Sequence, residues 1–247
     1  SDDAIATFLA DLATRGESSI EIAEAARALR DRMIPIDAPA GAIDVCGTGG
    51  DGQDTFNVST TASFVAAGVE GMHVCKHGGK ASSSSSGSAE LLFSLGLPLL
   101  DVPAAEAATL LAQSPCTFFL APLFHRAMMP LAPIRSALGF PTLFNILGPL
   151  MNPARPQRGV YGVHSSGLGP VYAETLQRAG MEHFWVVCGQ EGLDEVSPAG
   201  PTDVWEVRKG VIEHRVVRPE DFGLPQHALE EVRSGTAAQN AAVVLEL

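Results

Sequence analysis

The chain has 247 residues, with 16 basic and 28 acidic side chains giving a formal net charge of −12. That balance opposes binding to a nucleic-acid backbone, which needs Lys and Arg to neutralise phosphates, yet it leaves room for a small phosphate held by local cations and backbone N–H groups. Hydrophobic residues at 46% describe ample core material, no run approaches the ~18 apolar residues of a membrane span, and nothing resembles a signal peptide, so the chain reads as soluble and cytoplasmic.

From the amino terminus, Ile5, Phe8, Leu9 and Leu12 follow the helical period up to Gly16. Ser18 then offers a hydroxyl cap with Glu21 in the first turn, and Ile22, Ala25, Ala26 and Leu29 continue the spacing. Residues 3–32 are therefore expected to form two helices, with Pro35 to Gly41 as a linker. The period changes at Ala42-Ile-Asp-Val-Cys46, an apolar run ending in Gly-Thr-Gly-Gly, as a buried strand entering a tight loop would. A helix over Ser59–Gly68, a strand over Met72–Cys75, a serine-rich loop over Ser82–Ser88 and a helix over Ala89–Leu95 follow.

Further strands are expected at Thr117–Leu120, Val160–Val163 and Phe184–Val187, with Leu168–Ala179 as a helix between the last two. Val204–Val207 and Val211–Val217 read as an antiparallel hairpin around Lys209-Gly210, and Ala237–Leu247 as a final helix. The alternation predicts an α/β fold with a mostly parallel central sheet. Cys46, Cys75, Cys116 and Cys188 are scattered beside apolar stretches without a CxxC pattern, as expected of buried reduced thiols.

Four stretches carry chemistry. Gly47-Thr48-Gly49-Gly50-Asp51-Gly52 ends a strand and leads through Thr55 and Asn57 to the hydroxyls Ser59 and Thr60 at a helix start. Its glycines permit positive φ, and its successive N–H groups make an anion-binding concavity; the spacing is neither Walker A nor GxGxxG. Lys76-His77-Gly78-Gly79-Lys80 is expected directly after a strand, where a lysine and the following serines, Ser88 among them, suit phosphate. Asp194-Glu195 places two carboxylates side by side on a loop, which a magnesium ion would neutralise; an exposed acidic turn is the plainer alternative. His125, on Phe124-His-Arg126, is a candidate for shaping a pocket, and Arg135 could hold a carboxylate bidentately or sit in a surface salt bridge. His73, His164, His183, His214 and His227 show no partners in the sequence and read as structural.

DVCGTGGDGQDTFNVST, KHG followed by SxSGSAELL, TLFNILGPLMNPA and GLDEVSP, in that order, resemble anthranilate phosphoribosyltransferases over nearly the whole chain. The family is usually longer at both ends. The resemblance implies a small helical N-terminal domain used for homodimer formation (residues 1–36, joined by part of 98–136). It also implies a large α/β domain (37–247) of the nucleoside phosphorylase/phosphoribosyltransferase type. The implied reaction moves the 5-phosphoribosyl group of 5-phosphoribosyl 1-diphosphate to anthranilate with Mg²⁺, a step of tryptophan biosynthesis.

By position, the donor-binding residues would be Gly47, Thr48, Gly49, Gly50, Asp51, Thr55, Asn57, Ser59, Thr60, Lys76 and Ser88. The metal would take Ser59, Asp194 and Glu195, and the acceptor Gly47, His77, Gly79, His125 and Arg135. One departure stands out: Gly79-Lys80 replaces the usual Asn-Arg after KHG, removing a side-chain amide near the acceptor. A related glycosyl transferase with another acceptor, such as a nucleoside phosphorylase relative, would not need magnesium at Asp194-Glu195. The net charge speaks against a silent nucleic-acid-binding relative.

Overall fold

In the computed structural model, residues 1–79, 86–97 and 103–247 are described. Lys80, the serines Ser82–Ser85 and the 98–102 part of the 98–136 segment, all singled out in the sequence, lie outside them.

The amino-terminal helices are α1 (Asp2–Arg15) and α2 (Ser19–Arg30). Ser18 and Glu21 close a reciprocal capping box that fixes the start of α2. Next come β1 (Ile43–Gly47), α3 (Val58–Ala67), β2 (Val74–Gly78), α4 (Ser88–Ser94), α5 (Ala104–Gln113) and β3 (Cys116–Leu120). Three short helices, α6 (Ala121–Phe124), α7 (Ala132–Leu138) and α8 (Leu143–Ile146), precede β4 (Arg158–Gly162), α9 (Leu168–Arg178) and β5 (His183–Gly189). A hairpin of β6 (Thr202–Arg208) and β7 (Val211–Val217), then α10 (Ala237–Glu246), complete the chain. Lys209 and Gly210 both take positive φ in the hairpin turn (48° and 80°), as a two-residue turn matching strand twist requires.

The seven strands form one sheet in the order β3-β2-β1-β4-β5-β6-β7. The first five are parallel, and β6 and β7 extend the edge antiparallel. From β1 the chain moves out to β2 and β3, then returns to β4 on the other side of β1. The order of connection therefore reverses between β1 and β4, and in an open α/β sheet the crevice at the carboxyl ends there receives ligands.

Leu12 and Ile22 of the helical opening share one buried cluster with Tyr161, Tyr172, Leu176 and Phe184 of the α/β body. The four cysteines are free thiols, and burial pushes each above its ordinary pKa. No helix among the described residues is long and apolar enough to cross a membrane.

Candidate active site

A cavity of about 390 Å³ opens at the carboxyl ends of β1 and β2, where Gly47–Asp51, the start of α3, Lys76–Gly79, Arg135 and Asp194-Glu195 converge. Described residues of the first three sequence motifs thus meet in one place, with Arg135 and Gly148 from the fourth.

The glycine loop is held from two sides. Toward β4 and β5, Thr48 N–H donates to Gly162 O (2.9 Å) and Gly49 N–H to Asp194 Oδ2 (2.7 Å). A Cβ on Gly47 would strike the Asp194 carboxylate, and one on Gly162 would strike the Asp194 carbonyl, so glycine is required at both positions. Gly49, Gly50 and Gly52 take φ of 69°, 85° and 68°. Toward the carboxy terminus, Phe56 N–H donates to Val232 O (2.8 Å), Ser234 N–H to Asp54 O (2.8 Å), and Thr55 bridges Arg233. Asn240, on α10, donates from Nδ2 to Asn57 Oδ1 (2.9 Å).

Asn240 and the Val232–Ser234 strap are therefore structural partners of the loop that the sequence reading missed; Thr236-x-x-Gln239 marked only the capping box that starts α10. The Gly50 and Asp51 N–H groups make no hydrogen bond among the described residues, and Asp51 lines the cavity together with Ser59 and Thr60 of the first turn of α3.

Lys76 and His77 are not in a loop after the strand, as expected from the sequence. They are inside β2, each 3% exposed, because the strand runs on to Gly78. The Lys76 ammonium donates to Val45 O (2.6 Å) and Ser59 Oγ (3.0 Å), using two of its three donors. Ser88 opens α4 instead of ending a loop; its Oγ donates to Gly79 O (3.2 Å) and fills the space a Cβ on Gly78 would need.

Asp194 is buried, so the acidic motif is not a solvated turn. Burial, then the negative charge of Asp51, pushes the Asp194 carboxyl up, while burial and Asp194 push Glu195 up. The Lys76 charge and the Ser59 backbone N–H act in the opposite sense on Glu195. Crowded carboxylates with a hydroxyl alongside are hard oxygen donors; the Lys76 charge pulls on Glu195, and neither carboxylate meets a cation within ion-pair distance among the described residues. No group of three or more His, Cys, Asp or Glu among the described residues forms a complete metal cage. Magnesium takes one or two carboxylates and keeps waters and substrate oxygens, so Asp194 and Glu195 with the Ser59 hydroxyl are donors that fit it.

Beside this acidic half, His77 Nδ1 lies 3.1 Å from Gly148 O, so that nitrogen carries the proton. His125 Nε2 is 3.2 Å from His77 Nε2 and must donate to it. Burial and the neighbouring His125 hold His77 down to about 3, and burial lowers His125. Both rings are neutral at working pH, and the only lone pair on His77 is engaged. His125 stands behind His77 and does not itself line the cavity. Arg135 stacks over Phe144 (5.3 Å) and has no carboxylate partner among the described residues, contrary to a surface salt bridge. Gly79 lines the cavity with open space where a Cβ would go.

Three of the five histidines without a partner in the sequence do have one: His183 meets Glu206 (2.6 Å), His214 Asp203 (2.8 Å) and His227 Glu231 (3.2 Å). His164 Nδ1 lies 3.5 Å from Thr48 Oγ1, while His73 Nδ1 is buried without a hydrogen bond among the described residues.

Beneath the cavity, Asp44 is fully buried, with Oδ1 accepting the His77 N–H (3.4 Å) and Oδ2 the Tyr161 hydroxyl (3.4 Å). Burial pushes its carboxyl from 3.8 to about 6 against the pull of Lys76. The folded state therefore binds this proton more tightly than the unfolded state. Its contribution favours folding below pH ~4 and is lost as pH rises to ~6, at a cost of about 3 kcal/mol. Asp44→Asn should remove that slope, so the variant gains on the parent by this order between pH 4 and 7. Parallel pH profiles in denaturant melts of the two proteins would contradict it.

The family model "Glycosyl transferase family, a/b domain" matches residues 40–247. The anthranilate phosphoribosyltransferase of Novosphingobium aromaticivorans is 51% identical over 97% of the chain and 72% of its own length. That of Sphingopyxis alaskensis is 48% identical over 100% and 74%. Among solved structures, the anthranilate phosphoribosyltransferase from Saccharomyces cerevisiae in complex with PRPP and Mg superposes with a TM-score of 0.92 at 39% identity, covering 99% of the chain and 68% of that structure.

Proposed function

The chain belongs to the anthranilate phosphoribosyltransferases, and on that footing we propose that it transfers the 5-phosphoribosyl group of 5-phosphoribosyl 1-diphosphate to the amine of anthranilate, releasing diphosphate, in tryptophan biosynthesis. The observation that carries the reading is the meeting, in one cavity, of a glycine loop, a buried lysine and a pair of adjacent buried carboxylates.

The donor half comprises the Gly47–Asp51 loop, Thr55, Asn57, Ser59, Thr60, Lys76 and Ser88. The free Asp51 amide, the start of α3 and the Lys76 ammonium would face the diphosphate, where negative charge builds as the anomeric bond breaks. Ser59, Asp194 and Glu195 would hold magnesium, which when bound supplies charge neutralisation for the leaving diphosphate. On the acceptor side, Arg135 presents a free guanidinium fork to the anthranilate carboxylate, and Gly47, Gly79 and His77, backed by His125, shape the wall. The amine attacks in its neutral form, so orientation matters more than deprotonation. The engaged, neutral histidine pair agrees with a site that has no general base.

Residues 1–36, with part of 98–136, form the helical module of a homodimer in this reading. Exposed Phe8 and Ile20 on its two helices support that role (60% and 54%). The enzyme works in the cytoplasm.

Anthranilate fluorescence should fall only when donor and Mg²⁺ are both present. Donor binding with no turnover would remove anthranilate as acceptor while keeping the donor site. Because Gly79 has room for a side chain, Gly79→Asn should fold normally and change the KM for anthranilate severalfold at an unchanged donor KM. An equal shift in both constants would place residue 79 outside the acceptor side.

A further inference from the structure

A second cavity, of about 320 Å³, lies where the carboxyl ends of α2 and α9 meet Leu150. Four arginines line it, Arg27, Arg30, Arg155 and Arg178, against two carboxylates, Glu24 and Asp31. Both carboxylates are taken by Arg27, at 2.5 Å and 3.8 Å. The other three arginines meet no carboxylate within ion-pair distance among the described residues, in a chain whose net charge is −12.

Arginines at helix carboxyl ends ordinarily satisfy free carbonyls, and part of this cluster does so. Arg30 Nε donates to Leu150 O (2.6 Å), Arg155 to Arg30 O (3.4 Å), and Arg178 Nε to Ser19 Oγ (3.2 Å). Capping leaves the Nη groups of Arg30 and Arg178 without a protein acceptor among the described residues. Arg30 is half-buried; burial, with the like charge of Arg155 adding to it, disfavours its charged form. Neighbouring guanidinium groups in such a setting raise the energy of the fold unless an anion lies between them.

We propose that this cavity binds a small oxyanion of the phosphate or carboxylate class between Arg30, Arg155 and Arg178. Guanidinium forks pair such groups bidentately and carry the geometry to hold them. The site stands apart from the diphosphate cavity and does not depend on the reading of that cavity. Its occupant joins α2 of the helical opening to α9 of the α/β body. Through Arg30 it also braces Leu150, two residues from the Gly148 carbonyl that fixes His77.

Inorganic phosphate and succinate, titrated separately at constant ionic strength into the whole chain and followed by calorimetry, test this. Arg155 and Arg178 are exposed, so Arg155→Gln with Arg178→Gln should leave the fold and the diphosphate cavity intact. The expected result is one anion-binding class weakened at least ~10-fold in the double variant, about 1.4 kcal/mol, while a class at the diphosphate cavity persists. Arg30→Lys, which keeps the charge and loses the fork, should weaken the same class. Whichever probe shows this dependence names the chemistry. Identical titrations of parent and variants with both probes would overturn the proposal. So would a change of oligomeric state without a change in anion binding, since the arginines would then be meeting acidic side chains of another copy.

Discussion

Asp194→Ala combined with Glu195→Ala should lower kcat/KM at least ~10³-fold, on the order of 4 kcal/mol of transition-state stabilisation, without lowering the unfolding midpoint. The two halves of that expectation have separate causes. Activity falls because the oxygens that fit magnesium are gone, and with them the neutralisation of the leaving diphosphate. Stability does not fall because the native state holds these carboxyls against burial and mutual repulsion, as their raised pKa directions record. Removing them relieves that cost, most visibly at pH 8, where the unfolded chain would have both groups ionised. Steady-state kinetics over a magnesium titration, beside thermal melts at pH 8, checks both halves. Unchanged kinetics would remove the pair from the metal's coordination, and a collapsed melting point would mean that losing the Gly49 N–H to Asp194 bond outweighs the relief of burial and repulsion.

Gly162→Ala should damage stability and donor use together. A Cβ there would run into the main-chain carbonyl of Asp194, and a backbone group cannot rotate aside as a side chain can. Either β4 shifts away from β1 or the Asp194 loop is lifted, an overpacking cost of about 1–3 kcal/mol. Lifting the loop breaks the Gly49 N–H to Asp194 bond and displaces both the glycine loop and the Asp194 and Glu195 oxygens. A displacement of ~1 Å at such a site costs ~10²-fold in rate. The informative comparison is Gly200→Ala, where a Cβ meets nothing and the effect should be small. Equal effects at the two positions would show that the close approach at Gly162 is not what matters.

Much of this architecture was legible in the residues, for identifiable reasons. Apolar period and caps marked α1, α2, α9 and the β6–β7 hairpin, because local chemistry alone decides them: Ser18 with Glu21, Lys209 with Gly210. The glycine loop and the Asp194-Glu195 pair were visible because their composition is costly anywhere except around a ligand or cation. The end of β2 was misjudged because Lys76 and His77 look like loop residues by polarity. Their burial is set by Val45 O, Ser59, Gly148 and His125, partners that no local window contains. Asp44 read as part of a strand, and its role beneath His77 and Tyr161 appears only when β1, β2 and β4 lie side by side. The arginine cavity was invisible for the same reason, since it draws on α2, α9 and residue 155.

The strap that holds the glycine loop has a consequence for how the enzyme comes into being. Asn57 meets Asn240 across 183 positions of sequence, and Phe56 meets Val232 over nearly as great a span. Closing a loop of that length brings its entropic cost before any contact rewards it, so such pairings form late in folding. During synthesis, β1 and its glycines leave the ribosome long before the strand of chain that clamps them. The nascent sheet can therefore assemble with its glycine loop still loose, and the proposed donor site is complete only once α10 has docked.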